Sequence, residues 1–270
     1  MLRTLFMVLA MMLASVNGHA QLVAKHTGCG EKEMVANPNR PTVADPADIT
    51  QLGVLELEYG WDRFQLTSDS KQNDLASLVK FGLLCDVEIR WNSSVLWQSS
   101  PSGKPTGGGD NWLGPQYRFY RQTARVPSLA VSYQIKLQTA SADKGLGSGK
   151  VDHAFTFLAS KDIRGFHLDY NLSAFLVRPQ SGGQFDHNWQ MNLAGSHPLG
   201  RGFLVTGEVY GVTELNPLQF SFVSTLWALT YAPKKRLVID GGVDIGLSRF
   251  APERHVFVGF TYVIANLYRR

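Results

Sequence analysis

Histidine and acidic side chains at short spacing are where chemistry is first sought in this chain. His167 and Asp169 stand two residues apart, which on a strand puts both on one face, and a carboxylate beside an imidazole is the start of a general-base pair. The order is the reverse of the Asp-x-His pair of barrel proteases, and none of the seven histidines has a serine at that same spacing. We read His167 and Asp169 as a hydrogen-bonded interior pair and expect no catalytic residue. His153, His187 and His255 are too scattered to suggest a metal centre. Gly145-x-Gly147-x-Gly149 has glycines at a phosphate-cradle spacing, but that motif needs a helix after it and an alternating strand follows here. Gly107-Gly108-Gly109, beside Pro101 and Pro105, reads as a flexible loop. No cofactor and no metal are expected. Cys29 and Cys85 are too few for a disulfide scaffold but suffice for one bridge in an oxidising compartment.

More informative are charges that recur at alternate positions: Glu56, Glu58, Asp62, Lys80, Glu88, Arg90, Arg118, Lys136, Asp152, Asp169, Asp186, Glu208, Asp240 and Asp244. Apolar residues occupy the positions between them. Leu129, Val131, Tyr133, Ile135 and Leu137 alternate with Ser128, Ser132, Gln134, Lys136 and Gln138, so one face of the strand is greasy and the other wet. The same period of two places strands at 53–66, 74–82, 86–97, 112–122, 128–140, 149–160, 165–177, 186–197, 202–213, 219–231, 237–248 and 254–265. Most run 9 to 14 residues, well beyond the roughly 5 or 6 of soluble strands and long enough to cross hydrocarbon at a tilt.

The connections alternate as well. Tight ones fall at 83–85, 123–127, 161–164, 198–201 and 233–235, whereas 67–73, 98–111, 141–148, 178–185, 214–218 and 249–253 are longer or richer in Gly, Ser and Asp. Short turns on one side and longer loops on the other are the asymmetry of outer-membrane barrels, whose closure leaves no backbone edge unpaired in lipid. The expected fold is therefore all-β, a transmembrane antiparallel up-and-down β-barrel of about twelve strands. Trp61, Trp91, Trp97, Trp112, Trp189, Trp227, Tyr231 and Tyr262 are candidates for its interfacial girdles.

At the amino end, Arg3, the apolar run Leu5–Val16 and Gly18-His19-Ala20 form an expected signal peptide, residues 1–20; its core of about a dozen residues is too short for a spanning helix. Residues 21–51 show no period and are broken by Pro38, Pro41 and Pro46, so we expect a periplasmic extension there, with the barrel over 52–270. An even strand count puts both termini and the 83–85 turn on the periplasmic side, and a Cys29–Cys85 bridge would pin the extension to that turn. The net charge is +4, and no basic run exceeds Lys234-Lys235-Arg236, so nucleic acid is not an expected partner.

Val54-Leu55-Glu56-Leu57-Glu58-Tyr59-Gly60 after Ala44-Asp45-Pro46-Ala47-Asp48, the hairpin from Lys80-Phe81-Gly82-Leu83 to Val87-Glu88-Ile89-Arg90, and Lys144–Asp152 resemble a bacterial outer-membrane family. That family is labelled as transporters of the phenol-degradation meta-cleavage pathway, and the resemblance runs from Asp45 to the carboxyl terminus. It implies a barrel associated with uptake of small, aromatic molecules. Phe257–Ile264 also looks like a barrel-assembly signal, although the chain ends on Arg270 and not on an aromatic residue.

The expectation is an outer-membrane channel for passive uptake of small solutes, monomeric, with outer-membrane lipid, the barrel-assembly machinery and a small-molecule solute as partners. Two alternatives stand beside it: a structural or adhesive barrel that conducts nothing, and a secreted soluble all-β binding module. The inward charges leave two interiors open. Buried ions must be paired or wet, so the lumen is either a water-filled pore or is plugged by ion pairs. The acidic excess in the list favours cationic or neutral solutes in the first case.

Overall fold

The computed structural model describes Cys29 and residues 33–101, 103–179, 181–214 and 221–269. The expected signal peptide and the start of the extension lie outside the described residues. Thirteen strands follow in chain order: β1 Val54–Thr67, β2 Ser70–Leu84, β3 Val87–Ser99, β4 Thr106–Gly108, β5 Asn111–Tyr120, β6 Ser128–Leu137, β7 Asp152–Ile163, β8 Phe166–Val177, β9 Asp186–Gly200, β10 Phe203–Val212, β11 Phe222–Lys234, β12 Leu237–Gly246 and β13 Arg254–Asn266. Each of the twelve long strands pairs antiparallel with its neighbours in sequence, and β13 returns to β1, so the sheet closes. Three-residue β4 lies in the longest loop and pairs with Val95–Trp97, above the six pairs by which β5 holds β3.

Alternation is what the lipid demands of such a wall, and it inverts the usual distribution. Trp227 and Leu193 are each 56% exposed while Glu56 and Lys80 are fully buried, the reverse of a soluble core. Every strand expected from the sequence is present, with shifted ends. Residues 67–73 are not a loop: β2 begins at Ser70 and the connection narrows to Ser68-Asp69. At the opposite end, Arg164-Gly165 and Arg201-Gly202 turn with positive φ at both residues (50° and 87°, 53° and 87°). Two-residue hairpins of this hand match the strand twist, which is why the turn side is so tight. After β13 the chain folds onto the wall, with Leu267 N–H donating to Gly53 O (2.7 Å) and Tyr268 OH to Leu83 O (3.2 Å).

The expected periplasmic extension is placed differently. From Met34 to Gln51 the chain runs inside the barrel: it enters at the turn end, where Ala36 N–H donates to Lys235 O, reaches Glu208 and Asn171 partway along β10 and β8, and returns past Glu88 to start β1. An aperiodic, proline-broken segment cannot pair as a strand, so its amides must find partners on side chains, and the barrel interior supplies them.

Candidate functional site: the plugged lumen

The turn-side half of the lumen is built around this plug. Its free N–H groups are taken up largely by wall carboxylates. Asn37 donates to Glu56 (2.8 Å), Asn39 and Arg40 to the two oxygens of Glu58 (2.8 and 2.9 Å), and Val43 and Ala44 to those of Glu208 (2.7 and 2.8 Å). Thr50 donates to Glu88 (2.6 Å), Asp45 to Asn171 (2.7 Å) and Ala47 to the Ser160 hydroxyl (2.7 Å).

Ion pairs complete the seal. Lys80 lies between Glu56 (2.8 Å) and Glu58 (2.6 Å) and also donates to Asn37 O and to Asn39 Oδ1. Arg90 bridges wall to plug through Glu88 (2.6 Å) and Asp45 (2.6 Å), and Arg118 does so through Asp86 (2.9 Å) and Asp48 (2.7 Å). On the opposite wall Arg40 reaches Asp240 (3.2 Å) and Asp62 (3.7 Å) and lies under the Phe257 ring. Its slot exists because Gly60 and Gly259 face each other across β1 and β13: a Cβ would come within 2.5 Å of the guanidinium from Gly60 and 2.4 Å from Gly259. At the turn itself, burial would raise the Asp86 carboxyl, but hydrogen bonds from Arg121 and Arg118 more than offset this and hold it below the usual carboxylate range.

All of the inward charges anticipated from the lumen pattern lie in the interior. Glu56, Glu58, Lys80, Glu88, Arg90, Arg118, Lys136, Asp152, Asp169, Glu208, Asp240 and Asp244 are buried, as is Asp62, while Asp186 is half-buried. Lys136 pairs with Asp152 and, at 3.5 Å, with Asp110 near the loop end. Asp244 accepts from Tyr210 OH, and His255 sits between Asp62 (2.9 Å) and Asp244 (3.8 Å). His167 lies between Asp162 (2.8 Å) and Asp169 (3.2 Å), and Asp169 also accepts from Ser160 Oγ at 2.5 Å. The carboxylate therefore stands between hydroxyl and imidazole, so His167 is not placed to deprotonate Ser160, whose oxygen already accepts from Ala47. Cys29 and Cys85 are joined with Cα atoms 5.0 Å apart, tying the entry of the plug to the β2–β3 turn.

Asn37, Asn39, Arg40, Asp45, Asp48 and Thr50 carry much of this site and were not anticipated. One signal was available: the wall list held more carboxylates than cations, and backbone donors made up the shortfall.

The loop-side half is different in kind. A cavity of about 300 Å³ lies above the plug, lined by the amides Asn92, Gln134, Asn171, Gln190 and Asn192 and by Trp112 and Phe175, which meet edge to face at 6.4 Å. Its charged lining residues, Arg90 and Asp45, neutralise each other. Trp112, counted from sequence among the girdle aromatics, faces this cavity and not the lipid.

Residues 38–263 match the family model described as "Putative MetA-pathway of phenol degradation". The chain belongs to that family. No match was found among curated proteins. Among solved structures, the barrel resembles the COG4313 outer membrane channel from Pseudomonas putida F1, with a TM-score of 0.63 at 12% identity over 87% of this chain and 99% of that one. It also resembles the KdgM porin (TM-score 0.53, 8% identity, 78% and 99% covered) and the translocator domain of the autotransporter NalP from Neisseria meningitidis (0.51, 9%, 77% and 86%). Two of these are named as a channel or porin and the third as a translocator, so the likeness fixes the architecture and not the cargo. That architecture is the closed twelve-stranded antiparallel barrel of the outer membrane, porin-like in form.

Proposed function

We propose that this family member is a monomeric outer-membrane channel that admits small, predominantly neutral solutes, aromatic ones among them, by diffusion and without a covalent step. The observation that carries this reading is the loop-side cavity: enclosed by wall strands, lined by amides that exchange hydrogen bonds with a polar solute, and backed by two aromatic rings that take a ring edge or face. The matched family and the channel named for Pseudomonas putida F1 support it.

The acidic wall does not act as a cation filter on this reading, because the carboxylates of Glu56, Glu58, Glu88 and Glu208 are occupied by plug amides and by Lys80 and Arg90. Solute entering from the loops meets the amides first and goes further where the plug is displaced from the hydrogen bonds and ion pairs that hold it to the wall. The Ser160–Asp169–His167 order supports a barrel that is not an enzyme. Export by a signal peptide over residues 1–20, insertion of β13 by the barrel-assembly machinery and contact with outer-membrane lipid belong to the same proposal.

Refolded mature protein in planar bilayers tests it. We expect single-channel events that are weakly ion-selective, and larger conductance when residues 35–50 are replaced by a short Gly-Ser linker. Silence from both forms favours the structural or adhesive barrel.

A further inference from the structure

We infer that the outer wall formed by β13, β1 and β2 binds the phosphorylated headgroup and an acyl chain of an outer-leaflet glycolipid of the lipid A type. Two independent features coincide there. The first is a cationic triplet on the lipid-facing side at the loop end of the barrel. Gln65 pairs with Lys71 on one side and Arg254 on the other, and Arg63 lies one outward position below Gln65. Neighbouring strands lie about 4.8 Å apart and alternate residues about 6.6 Å, so three cationic side chains share a patch roughly 10 Å across. All three are exposed, and none makes an ion pair among the described residues. Two outward cations at the turn end, by contrast, have partners: Lys161 donates to the carbonyls of the β5–β6 turn, and Arg121 pairs with Asp86.

The second feature is an apolar groove of about 570 Å³ on these strands and the neighbouring β12, lined by Trp61, Leu75, Ile239, Val258, Phe260 and Tyr262. Its upper rim, where Trp61 pairs with Leu75 and Val258, is a single outward step below Arg63 and its partners Asn73 and Val256. The order along the membrane normal is thus groove, then cations, then loops. That is the order of an anchored amphiphile in the outer leaflet, with its chains in hydrocarbon and its phosphate at the interface. Arg and Lys are the side chains that recognise phosphate, Arg through a bidentate fork. Asp62 and Asp74 on these strands point inward, and the two acids at the upper edge of the triplet, Asp69 and Glu253, make no ion pair with it, Glu253 meeting Gln65 O through its backbone N–H (2.9 Å). Phosphate is therefore the complement that the face lacks. This inference rests on outer-membrane placement and not on conduction.

Native mass spectrometry of the mature barrel refolded in detergent, with purified bisphosphorylated lipid A as the probe, tests the site. We expect a one-to-one adduct. Loss should be about fivefold for Arg63→Gln, Lys71→Gln or Arg254→Gln singly and on the order of a hundredfold for all three together. Leu75→Trp, which fills the groove without touching the charges, should weaken the adduct as well, and heat-modifiable migration verifies that each variant is folded. The inference is overturned if the triple variant binds lipid A as the parent does, or if phosphatidylglycerol or inorganic phosphate binds as tightly as lipid A. The substituted residues line neither cavity nor plug, so single-channel conductance of the triple variant should equal the parent's. The channel reading therefore stands or falls separately.

Discussion

The two halves of the lumen are walled by the same strands and yet solve opposite problems. On the turn side, carboxylates and cations close around a segment of chain and leave little space. On the loop side, amides and two aromatic rings surround a cavity whose charges cancel. The difference teaches that the acidic character of this barrel is structural. Glu56, Glu58, Glu88 and Glu208 hold a strandless segment in place, and the surface offered to a solute is nearly neutral. Buried carboxylates persist because charge-assisted hydrogen bonds from backbone amides satisfy oxygens that water would otherwise have to reach.

The comparison breaks most severely at Lys80. Lys80→Met leaves Glu56 and Glu58 facing each other without their shared cation, and loss of a partner from a buried ionic cluster costs about 3–5 kcal/mol. Urea denaturation of refolded barrel in lipid vesicles should report that loss, and a midpoint unchanged from the parent would mean that the turn-side charges are solvated and the plug is not seated. A smaller effect is expected at Glu208, which accepts from Val43 and Ala44 at the highest part of the plug. Glu208→Ala should cost about 1.5–3 kcal/mol for hydrogen bonds to a charged group. It should also add flicker to single-channel records, because the plug loosens where it borders the cavity.

The smallest effect sharpens the contrast at the turn rim. Asp86 is held below the usual carboxylate range by Arg121 and Arg118, so its contribution is complete at neutral pH and is lost only as pH falls through that lowered value. Arg121→Ala should move the acid limb of the stability profile to higher pH. The side chains are 31% and 44% exposed, so the associated stability change is below about 1 kcal/mol. An acid limb that does not move would assign the Asp86 shift to Arg118 alone.

The wall was legible in the sequence because lipid and water impose opposite demands on successive residues. A strand such as β6 writes both demands into its pattern, so its presence and its inward face could be read directly. Trp112 was misassigned because aromatic residues serve girdles and lumens alike, and only its register on β5 separates the two. The Ser68-Asp69 turn was missed because Ser, Asp, Lys, Gln and Asn extend β2 and β1 beyond the apolar band, where no alternation marks a strand.

The plug could not be read at all. Its residues follow no period, because its amides are matched one by one, largely to wall side chains such as those that lie 19 residues away for Asn37 and 165 for Val43. Periodicity reports contacts that repeat along the chain; it carries nothing about contacts that occur once. By itself, then, the sequence determined a closed wall with an oily exterior and a charged interior, since every residue of a strand answers to its immediate surroundings. Whether that interior was open or filled was decided by tertiary structure, because it depended on where Met34–Gln51 came to rest among partners that only barrel closure brings together.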